Sequence, residues 1–460
     1  MSVALEFAAV FSLKDPIQWL EQFKALAATQ ALSYGAAQLS NPSYAVSFQN
    51  YDLETKLWHL AALLYEFRAT ESPKEILHLL PESSDAVKQH NYLSSHRKTK
   101  EIAIIIAWIQ ENSKQLDIPA DVVEKVKWNA TRTALETQSL SLLTLGFNTL
   151  KSDSYVEELD DDAVLRSGKS IADEDDKQDL EVYKIIYGLI LQAKIDEAVE
   201  VANNSGNFAL ALILIGAVND YVDPILDKEM FISDTILPTD EDNVAVDDVN
   251  GNHDHPAPTG QRHNNHWCQA VYSLSQRTKN PHERLIYNYL CGGDISENVA
   301  MAESWEQTLL LYLNQLLGSE LRTVFSGRES ISSIQIPPPQ CKNVDQALNV
   351  ILRNGNTISA RESQNPLRVL SGALMIEKFG HLLDNGTADA ANDPHLLRVL
   401  THLAIFFSKY QHLDNRDPIS AADLTRIVGQ YVKYLAENNL EELIPTYLAH
   451  IPQEADAREL

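Results

Sequence analysis

Arg166-Ser167-Gly168-Lys169-Ser170 ends in the Gly-Lys-Ser triplet of a phosphate-cradling loop, where backbone N–H groups and a lysine hold a nucleotide's phosphates. The spacing fails, because the first glycine of such a loop falls at position 163, which is Ala163. The triplet also lies among carboxylates, which would repel a phosphate. His253, His255, His263, His266 and Cys268 offer nitrogen and sulfur donors of the kind zinc takes. No paired Cys-x-x-Cys or His-Glu-x-x-His anchors them, so a polar loop leading into a helix accounts for the same residues. Gly292-Gly293 suits a helix C-terminal cap. Cys291 has no base beside it in sequence and reads as a buried structural thiol. Asp and Glu pairs are abundant, but nothing places two of them in one pocket with opposed environments. The residues therefore give no catalytic, cofactor-binding or metal site, and the chain reads as a non-enzyme.

Composition narrows the classes further. The 460 residues include 37 Lys+Arg and 64 Asp+Glu, a net charge of -27. Hydrophobic residues make up 44%, enough for a folded chain. The charge opposes a broad face for nucleic acid, which needs cations to displace counterions from phosphates. It equally opposes docking on anionic lipid. Cys268, Cys291 and Cys341 are odd in number and widely spaced, which implies no disulfide framework and a reducing compartment. The N-terminus carries no signal-peptide pattern. The longest apolar runs, Ile102–Ile109 and Phe208–Val218, fall short of the roughly 20 residues that span a bilayer.

The elements that must position these residues are helices throughout. Leu, Ala, Glu and Gln dominate, and apolar residues recur at helical spacing, with about fifteen helices expected. The first starts near Pro16, and Leu53–Arg68 carries Leu53, Leu57, Leu60, Leu64 and Phe67 on one stripe. Ala120–Gln138 reads as one amphipathic helix, and Asp223–Phe231 as another. Between Lys151 and Glu181 lie 12 acidic residues, a surface connector by composition. Breaks also fall at 233–261 and 326–343, the latter holding Pro337-Pro338-Pro339. Loops are short within groups and long between them, which is irregular helix-pair stacking without a fixed repeat. The helix Asn207–Val218, NFALALILIGAV, is apolar on every face. It must be covered by its own module, or on one side by another protein.

Several strings then fall in a familiar order: WHLAALLYEFR at 58–68, LILQAKIDEA at 189–198, VYSLSQ at 271–276, PHERLIYNYLCG at 281–292, WEQTLLLYLNQLL at 305–317, NPLRV at 365–369 and LRVLTHLA at 397–404. In this order and spacing the chain resembles the nucleoporins of the 84-kilodalton (yeast) and 107-kilodalton (vertebrate) type, its fungal members more than its animal ones. The resemblance runs from about residue 50 to 405.

The resemblance implies an all-α, irregular helical solenoid, the ancestral coatomer element, with trunk and crown modules. It places the ascending trunk at 1–150, an acidic connector at 151–176 and the crown at 177–325 with its long loop 233–261. A Pro-rich connector at 326–343 and the returning trunk at 344–460 follow, with a C-terminal tail module expected beyond. It implies a scaffold of the Y-shaped coat complex at the nuclear pore and nuclear envelope, serving mRNA export and protein transport, with no cofactor. The crown is expected to pack on the neighbouring stem nucleoporin that carries a small propeller companion, and the tail to bind the 133-kilodalton nucleoporin. No nucleic acid or membrane insertion is implied. Phe208, Leu212 and Ile215 fall at i, i+4 and i+7, one stripe, and Ile195 and Val199 extend it. These five are the expected interface. The alternative is a vesicle-coat element that self-associates through its crown.

Overall fold

Helix starts in this chain are written as an Asx residue followed by proline. Asp15, Asn280, Asn365 and Asp393 each stand in extended backbone at an N-cap, their side-chain oxygens accepting from the first free amides, with Pro16, Pro281, Pro366 and Pro394 next. Proline fits there because that N–H has no helical partner. In the computed structural model the described residues are 3–69, 85–123, 125–145, 155–160, 162–217, 264–325, 335–383, 392–410 and 417–459. They form an all-α, irregular helical solenoid. The described residues contain no strand; one isolated bridge pairs Tyr155 with Ser170. Among them no helix is long and apolar enough to cross a membrane. The expected helix Asp223–Phe231 and the loop 233–261 lie outside the described residues.

The course of the chain follows from its long-range contacts. Pro16–Ser40 and Ala45–Ala69 pack side by side as a helical hairpin. Arg97–Glu111 packs on Ala45–Ala69 and on Trp305–Phe325. Asp173–Leu191 packs on Ile195–Asn204 and on Pro281–Cys291. The later helices then return along the earlier ones. Thr99 meets Glu320, Arg68 meets the Met375 carbonyl, Glu54 meets Arg398, and Phe11 meets His450. As one partner descends from 99 to 11, the other climbs from 320 to 450, so the return is antiparallel.

One hydrophobic core runs from Phe7 to Ile451. Its densest part joins the two ends of the sequence. His402 lies edge-on to Phe7 and Phe23 and stacks on Phe11, with Tyr431 and Tyr447 on its other sides. Its Nδ1 is 2.7 Å from the Arg398 carbonyl oxygen, which only accepts, so Nδ1 carries the hydrogen. Nε2 then accepts from the Tyr447 hydroxyl at 3.1 Å. Burial holds this imidazole neutral, down at about 3.

Several expectations need correction. The first helix is Val3–Ala9, ahead of the one that starts at Pro16, and the described residues alone hold more helices than the fifteen or so expected. The single helix Ala120–Gln138 is two helices, Ala120–Val123 and Asn129–Leu145. Trp128 between them takes a left-handed backbone (φ 55°) that turns its indole inward, onto Val156, Ala163 and Ile171. The acidic connector placed at 151–176 also gives up its last residues to a helix, since Asp173–Leu191 begins with Asp173, Glu174, Asp175 and Asp176. Carboxylates suit the positive end of a helix dipole. Asp175 is buried besides, accepting from the Ala130 and Thr131 amides and the Thr131 hydroxyl. Asp179, one turn on, accepts from Trp128 Nε1 at 2.7 Å. A helix start, Asn129–Leu145, is thus capped from the acidic helix across the fold.

Candidate protein interface

Ile195–Asn204 and Phe208–Gly216 are joined by three residues, and each has a reason to be there. Gly206 takes φ 78°, a conformation costly for other residues. Asn207 is buried; its amide donates to the Ala202 carbonyl at 2.7 Å and its Nδ2 to the Ser205 hydroxyl at 2.9 Å. Its Oδ1 accepts from the Tyr183 hydroxyl at 3.1 Å, which ties the turn to Asp173–Leu191. The second helix then buries Leu210, Ala211 and Leu214 against the core. At its end a Cβ on Gly216 would stand 2.5 Å from the Trp267 ring, so glycine lets helix Asn264–Ser275 close in.

The opposite face of Phe208–Gly216 is apolar and open. Phe208 is 61% exposed, Leu212 70% and Ile215 38%. These three share one stripe, while Ile195 and Val199 on the preceding helix are half-buried and packed against the core. An exposed aromatic with two aliphatics on one helix face is what a docking site presents before its partner arrives. No periodicity argument singles out Leu32, Leu39 and Val46, which are also exposed. The signal that marks them is the absence of any charged residue between Lys24 and Asp52.

The chemistry-bearing motifs come out otherwise engaged. Gly168 ends the short helix Ala163–Ser167 at φ 70°. Arg166 is held by Glu158, Asp160 and Asp162, and Lys169 by Glu157, so the cations of the Gly-Lys-Ser segment face carboxylates. His253, His255 and His263 lie outside the described residues, among which no group of metal-binding side chains gathers. Cys268 and Cys291 are buried, and burial pushes their thiols up to about 11 and about 12, away from the thiolate a nucleophile needs. Gly292 is left-handed (φ 62°) and Gly293 donates to the Asn288 carbonyl, a helix-ending turn. An open cleft of about 1430 Å³ lies between the hairpin and the later helices, lined among others by Lys56, Trp108, His282 and Arg368. Two of its cations are paired within the wall: Lys56 with Asp52 at 3.0 Å, and Arg368 with Glu306 at 2.9 Å and Glu362 at 3.4 Å.

Comparison with known proteins gives the family. The family model described as "Nuclear pore protein 84 / 107" matches residues 48–460. The chain is 24% identical to nucleoporin nup107 of Schizosaccharomyces pombe, over 87% of this chain and 47% of that protein. It is 21% identical to nuclear pore complex protein Nup107 of Mus musculus and of Homo sapiens, over 87% of this chain and 42% of each. The chain thus spans about half the length of the curated relatives it matches. With a match over nearly its whole length on an all-helical fold, the chain belongs to the nuclear pore protein 84/107 family.

Proposed function

We propose that the chain is a scaffold element of the Y-shaped coat of the nuclear pore, working at the nuclear envelope through protein–protein contacts and without catalysis. Membership of the family supports the pore assignment. On this reading 177–325 is the crown, and 1–150 and 344–460 are the outgoing and returning halves of a trunk. The antiparallel return of the later helices along the earlier ones favours that plan. The observation that carries the joint is the exposed stripe of Phe208, Leu212 and Ile215. It packs, with Ile195 and Val199 at its edge, ridge-into-groove on the crown of the neighbouring stem nucleoporin. The coat so joined supports transport of mRNA and protein through the pore.

The test is sedimentation of the chain, alone and mixed with that crown-bearing nucleoporin, with wild type beside Phe208→Glu. The expected result is a monomer that forms a one-to-one complex, weakened by about 2 kcal/mol or more in the variant. Because Phe208 is exposed, the variant should melt with the wild type. Unchanged binding by Phe208→Glu would remove this joint. A chain that pairs with itself and ignores the nucleoporin would replace it with the vesicle-coat reading.

A further inference from the structure

The exposed stripe of Phe208, Leu212 and Ile215 has a border, and the border is charged. On the preceding helix, Ile195–Asn204, Asp196 and Glu200 follow Ile195 and Val199 by one position each. One residue further is a turn of about 100° round the helix, so the two carboxylates form the next stripe. Ile195 and Val199 are half-buried, while Asp196, Glu200 and Asn203 are exposed, which puts that stripe on the solvent side. The two helices pack on each other across the short turn at 205–207 and so run antiparallel. The acidic stripe therefore lies alongside the apolar one, Asp196 toward the Ile215 end and Asn203 toward the Phe208 end.

The fold accounts for only part of this charge. Asp196 and Glu197 stand in the first turn, where the helix dipole favours carboxylates, but Glu200 lies beyond it. Glu197 pairs with Lys194 at 3.5 Å, and among the described residues no cation pairs with Asp196 or Glu200. An unpaired acidic edge thus runs beside an uncovered apolar face.

We propose that the partner segment seated on the stripe is an amphipathic helix with Lys or Arg beside its apolar seam, the cations meeting Asp196 and Glu200. This rests on the reading of the stripe as the joint, and adds the chemistry of what the joint receives. A helix fits because stripe and border run side by side along two packed helices, whose ridges leave a groove between them. The apolar contact supplies most of the affinity, and the acidic edge speeds encounter and fixes the register. Charge complementarity excludes two other occupants. A second copy of a chain with net charge -27 meets repulsion there. Anionic lipid, which an apolar helix face would otherwise enter, is repelled by the same edge.

Association kinetics with the crown-bearing stem nucleoporin, at about 50 mM and about 500 mM salt, test it. Wild type should associate roughly tenfold faster at the lower salt. Asp196→Lys/Glu200→Lys should weaken the complex roughly tenfold or more at low salt, chiefly through slower association, and should lose the salt response. Glu437→Lys/Glu442→Lys makes the same change of charge at exposed positions elsewhere and should bind within about twofold of wild type. Glu200→Lys alone leaves the first turn of its helix intact, so its weakening by a few fold guards against misfolding of the double variant. Wild-type binding and salt response in the double reversal, with Phe208→Glu still defective, overturn the proposal and leave the joint standing. Tighter binding by the reversal overturns it too, because the partner's edge is then acidic. An equal loss in the control pair assigns the effect to net charge and overturns it as well. Unchanged binding by both Phe208→Glu and the reversal removes the joint, and this proposal with it.

Discussion

Glu54 and Arg398 are 344 positions apart and both buried. Arg398 Nη1 and Nη2 donate to the two carboxylate oxygens at 2.8 and 2.7 Å, and Trp58 Nε1 donates to Oε1 at 3.0 Å. Burial pushes the Glu54 carboxyl up, but Arg398 and His395 outweigh it and hold it down at about 2. A depressed carboxyl stabilises the fold fully above its ordinary value of 4.5, and that contribution is lost as pH falls through about 2. Glu54→Gln leaves a buried guanidinium without its counter-charge and should cost about 3–5 kcal/mol in denaturant unfolding. Glu54→Leu combined with Arg398→Met should cost less than either single change. A double variant as weak as the sum would show that the two charges are not coupled. Asp179 has the opposite sign. Burial raises it from an ordinary 3.8 to about 6, against the Trp128 indole and Lys127, which favour the charged form. The stability that its proton confers is present at low pH and lost as pH rises through about 6. Asp179→Asn keeps an acceptor for the indole and removes the charge. It should stabilise the chain by about 1–2 kcal/mol at pH 7.5 and by almost nothing near pH 4. An equal gain at both pH values would refute the argument.

At the scale of elements, packing between helices decides more than propensity does. Phe208–Gly216 is fixed by its turn at one end and by Trp267 at the other. Gly216→Ala puts a methyl into the indole at a distance no real contact shows, so one helix must move. The expected cost is about 1–3 kcal/mol in thermal unfolding, with weaker binding through Phe208 because its helix is displaced. An unchanged melting temperature would mean that Trp267 swings aside freely. The same helices show what the sequence carries. Helix starts at Pro16, Pro281, Pro366 and Pro394 are legible because cap and proline act locally. The stripe of Phe208, Leu212 and Ile215 is legible as spacing, but its exposure is not. In a helix apolar all round, only the neighbours decide which face is left over. The break at Trp128 is illegible for a related reason, because its cause is Asp179, 51 positions away. Asp85–Ser95 carries few apolar residues at helical spacing, and periodicity passes over it.

For the whole molecule, the antiparallel return makes the two ends of the sequence each other's core. Phe7, Trp19 and Phe23 are fully buried, yet their partners include His402, Phe406 and Tyr410 from the later part of the chain, and Phe11 meets Tyr447. The hairpin Pro16–Ser40 with Ala45–Ala69 cannot bury this aromatic surface alone. The helices Asp173–Leu191 and Pro281–Cys291 pack on each other, and the latter on Trp305–Phe325, and among the described residues their main packing partners lie before residue 383. Stability should therefore be divided along the chain, each region opening with the partners it touches. A chain ending at residue 383 should lose hydrogen-exchange protection over 16–69 and keep it over 173–191 and 281–291. Its tryptophan emission should shift to the red as Trp19 and Trp58 meet water. Uniform loss of protection along the chain would mean one cooperative unit. Full protection of 16–69 would mean that the first hairpin is held by Pro366–Met375 and Arg97–Glu111 without the last helices.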